Sequence, residues 1–212
     1  MRSRAALRQE IKTLLQEGNF PELVALAGRE SQVVGVLLQF LYDPHDLLHW
    51  RALEGLGHVA HGHPRDVQKI IARLLWLLNE DSGSFGWGAA AALGEVGRHE
   101  LSVVSEIIPM FCGFLDETFS RAPMLWGIGR MAQVHPGKLQ EVVPQLLACL
   151  EDEDPQVRGL SAWALGNLKE QQAREALGKL LADDGPVTLY DEGELRPATV
   201  AELARQALAA LK

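Results

Sequence analysis

Apolar residues recur along this chain three and four positions apart, the spacing that gives a helix one buried face. Short polar breaks interrupt the pattern and divide it into six helix pairs: about 3–17 and 20–30, 31–42 and 46–61, 65–79 and 84–98, 101–116 and 120–134, 137–151 and 155–169, and 171–182 and 198–211. The breaks carry ordinary stop and start chemistry. Gly18-Asn19 precedes Pro21, Asp43-Pro44 and Asp81-Ser82-Gly83 split the second and third pairs, and Asp154 stands as an N-cap before Pro155. The last helix opens on Thr199-x-x-Glu202, the spacing of a capping box.

One motif recurs in the second helix of successive pairs: Ala52 to Gly57, Ala89 to Gly94, Met124 to Gly129 and Ser161 to Gly166. Its closing glycines lie 37, 35 and 37 residues apart, and a constant period of that size indicates stacked repeats. The fullest copy is Asp152-Glu153-Asp154-Pro155-Gln156-Val157-Arg158, followed by Ala162, Ala164-Leu165-Gly166 and Leu168. It resembles the signature of HEAT repeats, including the HEAT-like variety of phycobilisome lyases, and Pro109 and Pro144 fit the same pattern. The likeness covers about 31–211 well and 1–30 only by helix count. Arg158 and Arg121 match the family's arginine, whereas His49 and Gly86 stand at the corresponding earlier positions, so the Asp–Arg ladder between repeats is incomplete.

The resemblance implies an all-α fold: a right-handed α-α superhelix, a HEAT-like solenoid of about six antiparallel helix pairs in one domain over 1–212. Within it, 1–30 forms an N-terminal capping pair, 31–182 the core repeats, and 183–212 an insertion and a C-terminal capping helix. The insertion breaks the helical pattern. Val187-Thr188-Leu189-Tyr190 precedes Asp191-Glu192-Gly193, which reads as a short β-hairpin near 185–197. Two roles stay open for it: a polar cover for the last repeat, or an arm that closes over a binding surface.

Counting each second helix from its closing glycine as zero, positions −9, −5, −2, −1 and +2 share a face, for example Val157, Ser161, Ala164, Leu165 and Leu168, or Phe85, Ala89, Ala92, Leu93 and Val96. Positions −7, −3, 0 and +4 lie opposite. Second helices line the concave surface in HEAT-like arrays, so these positions are expected to face a groove. Trp50 and Trp87 occupy −7, and Trp126 and Trp163 occupy −3, one tryptophan per repeat. Gly57, Gly94, Gly129 and Gly166 are expected to leave open backbone beside them. Glu54, His58, Glu95, Arg98 and Arg130 lie on or next to the same face. An exposed aromatic row flanked by charges of both signs suits a protein or peptide partner. Trp76, in a first helix, reads as core.

Composition narrows the classes. The net charge of −8 disfavours a nucleic-acid partner, which demands clustered Lys and Arg. No apolar run is long enough for a transmembrane helix, and the amphipathic start is unlike a signal peptide, so a cytoplasmic location and a monomer are expected. Cys112 and Cys149 sit in apolar runs and read as reduced core residues. His58-x-x-His61-x-His63 approaches metal-ligand spacing, but His63-Pro64 and His135-Pro136 recur at one point of the repeat, which assigns them to turn chemistry. No metal or cofactor is expected. The sequence thus reads as a non-enzymatic scaffold or adaptor with a Trp-lined groove. Two alternatives remain. One is a HEAT-like enzyme related to alkylpurine DNA glycosylases, whose concave tryptophans the aromatics resemble although no Asp occupies the groove positions. The other is a small-molecule or chromophore-binding protein with the hairpin as lid. The paired His-Glu motifs of deoxyhypusine hydroxylases are missing, His99-Glu100 being the only such pair.

Overall fold

The computed structural model describes residues 3–79 and 86–212; the side chains of Gly86 and Trp87 are not described, so the expectations for the Asp81-Ser82-Gly83 break, Phe85 and the Trp87 ring fall outside it. The described residues are mainly helical, and they fall into two compact units, 1–105 and 106–212.

The first unit holds three helix pairs: α1 (Arg4–Glu17) with α2 (Phe20–Arg29), α3 (Val33–Leu37) with α4 (Leu47–Gly62), and α5 (Pro64–Leu78) with α6 (Gly86–His99). The breaks read from sequence act as expected. Gly18 takes φ +65° and closes α1, the Asn19 side chain accepts from Glu22 N, and the Asp154 side chain accepts from Gln156 N. The second helices lie side by side, α4 between α2 and α6. Two glycines of α4 set these distances. A Cβ on Gly55 would lie 2.7 Å from Leu23 of α2, and one on Gly57 would lie 2.6 Å from His99 of α6.

The second unit continues the scheme with α7 (Phe111–Asp116) and α8 (Thr118–Ala132), α9 (Val143–Cys149) and α10 (Pro155–Leu168), and α11 (Arg174–Lys179) and α12 (Val200–Ala210). Here the first helices are short and entered through 3₁₀ turns rather than running unbroken over 101–116 and 137–151. Pro109 and Pro144 lack the N–H that a continuous helix needs. Between α11 and α12, β1 (Pro186–Asp191) and β2 (Glu194–Thr199) pair antiparallel, with Asp191 opposite Glu194. The two-residue turn has φ +52° at Glu192 and +81° at Gly193, the backbone of a type I′ hairpin. The capping box of α12 forms, with Thr199 and Glu202 exchanging both bonds.

The Asp–Arg ladder is complete within this unit. Arg121 Nη1 lies 2.8 Å from Asp152, and Arg158 Nε lies 2.8 Å from Asp183, each arginine reaching the acid of the next pair. Both also donate to main-chain carbonyls of the preceding turn, Arg121 to Leu115 and Arg158 to Asp152. The Arg158 hydrogen bond to the Asp183 carboxylate holds that carboxyl below the usual carboxylate range.

Two expectations fail. Trp76 is 55% exposed rather than core. It lies about 170° around the helix from the buried line of Val67, Ile71, Leu74 and Leu78, and the apolar run around it hides that phase. Cys112 is only partly buried, whereas Cys149 is buried as expected.

Candidate partner-binding site

The second helices are the candidate surface, and the two units use them differently. In the first unit, Glu95 on α6 is fully buried and gathers two neighbours: Arg98 Nη1 lies 3.3 Å and His99 Nε2 3.2 Å from the same carboxylate oxygen. Glu95 is therefore the anchor of a cluster and not the groove-facing charge expected. The His58 ring of α4 packs between Phe20, stacked at 4.7 Å, and His99 at 4.4 Å. Burial and the neighbouring His99 hold the His58 pKa below its ordinary value, so the ring stays neutral near pH 7. Glu54, His58 and Arg98 remain partly exposed, as does Trp50, whose indole Nε1 donates to Pro44 O at 2.8 Å. The surface is a short strip of mixed charge beside a half-exposed ring.

The histidines noted for metal-ligand spacing do not converge. His58 packs on aromatic rings, His63 Nε2 donates to Val24 O at 3.0 Å, and His61 is exposed. Among the described residues, no cluster of three or more His, Cys, Asp or Glu has the geometry to hold a metal ion.

In the second unit the expected groove positions are buried, which corrects three assignments. Trp126 is 1%, Trp163 6% and Arg130 2% exposed. The reason is the stacking itself. In the second unit α10 is flanked by α8 on one side and α12 on the other, so a position opposite its first helix still meets protein. Trp163 of α10 fills the notch left by Gly129 of α8, where any Cβ would collide with its ring. Gly166 in turn takes Ala207 of α12, a Cβ there falling 2.8 Å from that methyl. Gly57, Gly129 and Gly166 thus seat the next second helix and leave no open backbone there.

What covers Trp126 is the hairpin. Its indole Nε1 donates to Tyr190 O of β1 at 2.8 Å, and its ring stands 6.2 Å from that of Tyr190, itself wholly buried. Arg130 lies over the Trp126 ring at 5.5 Å and pairs with Asp191 at 3.3 Å. On α10, the Gln156 amide bonds the β1 backbone in both directions: Nε2 donates to Thr188 O and Oε1 accepts from Thr188 N, each at 2.8 Å. Gly159 lets Val187 approach, a Cβ there being only 3.2 Å from one of its methyls. The hairpin is therefore an arm lying along α8 and α10 as well as a cover before α12.

Three contributors escaped the sequence reading. His99 was legible, four residues after Glu95 on one helix face. Gln156 and Asp191 gave no signal, because their roles depend on where the hairpin lands. The buried rings also remove, in this unit, the exposed aromatic surface on which the likeness to alkylpurine glycosylases rested. No helix among the described residues is long and apolar enough to cross a membrane.

Comparison with known proteins agrees with this architecture. Residues 119–168 match the model of the HEAT-like repeat, and residues 157–183 that of the PBS lyase HEAT-like repeat. An uncharacterized protein of Archaeoglobus fulgidus is 26% identical over 172 residues, spanning 79% of this chain and 91% of its own. Two crystal structures of engineered proteins are similar in fold. One has a TM-score of 0.52 at 16% identity, covering 95% of this chain and 96% of its own; the other has 0.51 at 17%, covering 98% and 58%. The matches identify the repeats over 119–183 as HEAT-like, and the paired helices before them follow the same helix-pair scheme.

Proposed function

We propose that this chain is a non-enzymatic scaffold that holds an extended segment of a protein partner against the second helices of its repeats. The observation that carries this reading is the grip on β1. Side chains of α8 and α10 bond its main chain at Thr188 and Tyr190, beside the buried side chains of Val187 and Tyr190. An extended chain is thereby held on the repeat surface, and here the chain supplies the segment itself. In the first unit the equivalent helices carry no such strand among the described residues. Trp50, Glu54, His58 and Arg98 are the groups offered there, with Glu95 fixing Arg98. Charges of both signs beside an aromatic ring suit the alternating donors and acceptors of a peptide with a few polar side chains.

The test is selection of displayed random peptides on the intact protein, repeated with Glu54→Lys after circular dichroism confirms its fold. Selected peptides should bind the variant about tenfold more weakly or worse, the cost of one reversed charge contact. Failure to enrich any peptide, or equal binding to both proteins, overturns the reading.

A further inference from the structure

The first unit also contains a cavity of about 160 Å³ between α3 and α5. Its floor is apolar: Leu38, Leu41, Leu74 and Leu77, with Ala89 of α6. Its rim is cationic, bearing Arg4 and Arg73 beside the amide of Gln39. Elsewhere the arginines of this chain mostly bond acids or carbonyls, as Arg29 does with Glu22, Arg51 with Leu15 O and Arg158 with Asp183. Arg4 and Arg73 have no ion-pair or hydrogen-bond partner among the described residues. Arg4 is moreover the first residue of α1, whose first turn holds no acid. A cation there opposes the positive end of the helix dipole, so the rim concentrates uncompensated positive charge in a chain of net charge −8.

We infer that this cavity is a binding site for a small aryl or branched-alkyl carboxylate. The volume accommodates one ring: an apolar cavity of about 150 Å³ takes up benzene. The floor offers such a ring only leucine and alanine side chains. The rim supplies two guanidinium forks, the geometry that best matches a carboxylate. The free acid is the fitting source, because a space of this size takes a ring and its carboxylate but not the backbone of a longer chain.

Phenylacetate is the probe, titrated into the isotopically labelled protein while the amide signals of Gly35 and Ala89, both lining the cavity, are followed. Saturable shifts at these two residues are expected, with benzyl alcohol, the neutral analogue, binding about tenfold more weakly or worse. Arg73→Gln and Arg4→Gln should each weaken phenylacetate by roughly the same factor. Gly35→Leu should abolish binding with the fold intact, since a Cβ at Gly35 meets nothing within 4 Å. No saturable shift, equal binding of the neutral analogue, or binding only of peptides ending in phenylalanine would each overturn the proposal.

Discussion

His49 shows how a single residue ties this fold to pH. It stands where the HEAT-like pattern has arginine, and it is 2% exposed with its pKa pushed down from 6.5 to about 4. Burial is the main cause, partly offset by the carboxylates of Asp43 and Asp46 and by a bond to the Leu41 backbone. The folded state therefore holds His49 neutral, while the unfolded chain protonates it below about pH 6.5. Protonation then favours unfolding, so the stability is complete above pH 6.5 and drains away as pH falls towards 4, by on the order of 3 kcal/mol. Nδ1 is buried without a hydrogen-bond partner, so an apolar replacement sacrifices no bond at that atom. His49→Leu should flatten the fall in urea midpoint between pH 7 and pH 4.5. An unchanged acid slope would place the loss in other groups.

At the scale of the element, the hairpin covers Trp126 and Arg130 in the second unit. Trp126→Phe keeps most of the buried ring but takes the indole donor from Tyr190 O, which should cost about 1–3 kcal/mol. Gln156→Ala removes the pair of bonds to Thr188, which is exposed, so water replaces them and the cost should be smaller, about 1 kcal/mol. Both variants should raise amide exchange in β1 before that in α10; exchange that rises equally in both elements would show that the hairpin is no separate layer. The elements themselves were legible in the sequence. Gly18, Asn19, Asp154 and Thr199 announced the helix ends because capping is local chemistry, and Glu192-Gly193 announced the turn for the same reason. The face of the second helices was not legible. Trp126 and Trp163 sit opposite the first helix, as helical phase requires, but a helical wheel cannot register a neighbouring second helix or an arm that folds back over it. Trp76 failed for the converse reason: its phase was readable, but its apolar neighbours masked it.

For the whole molecule, the repeat makes stability a sum of local terms. In stacked repeats each unit contacts only its neighbours, so damage stays near its origin and local opening can be read segment by segment. Gly57, Gly129 and Gly166 are where such damage is most easily introduced, since each is a notch fitted to the next helix. At Gly57 a Cβ would lie 2.6 Å from His99 and 3.0 Å from the main-chain oxygen of Glu95, and the latter cannot turn aside. Gly57→Leu should therefore push α4 and α6 apart at a cost of about 1–3 kcal/mol, offset in part by leucine's better helix propensity. Hydrogen exchange should then speed up across α4 and α6, and with it the cluster built on Glu95 should loosen. Protection in α10 and α12, whose own notch at Gly166 is filled by Ala207, should stay unchanged. Uniform loss of protection along the chain would mean that the repeats melt as one cooperative body, and the proposed binding strip of the first unit could then not be altered without unfolding the arm-covered surface of the second.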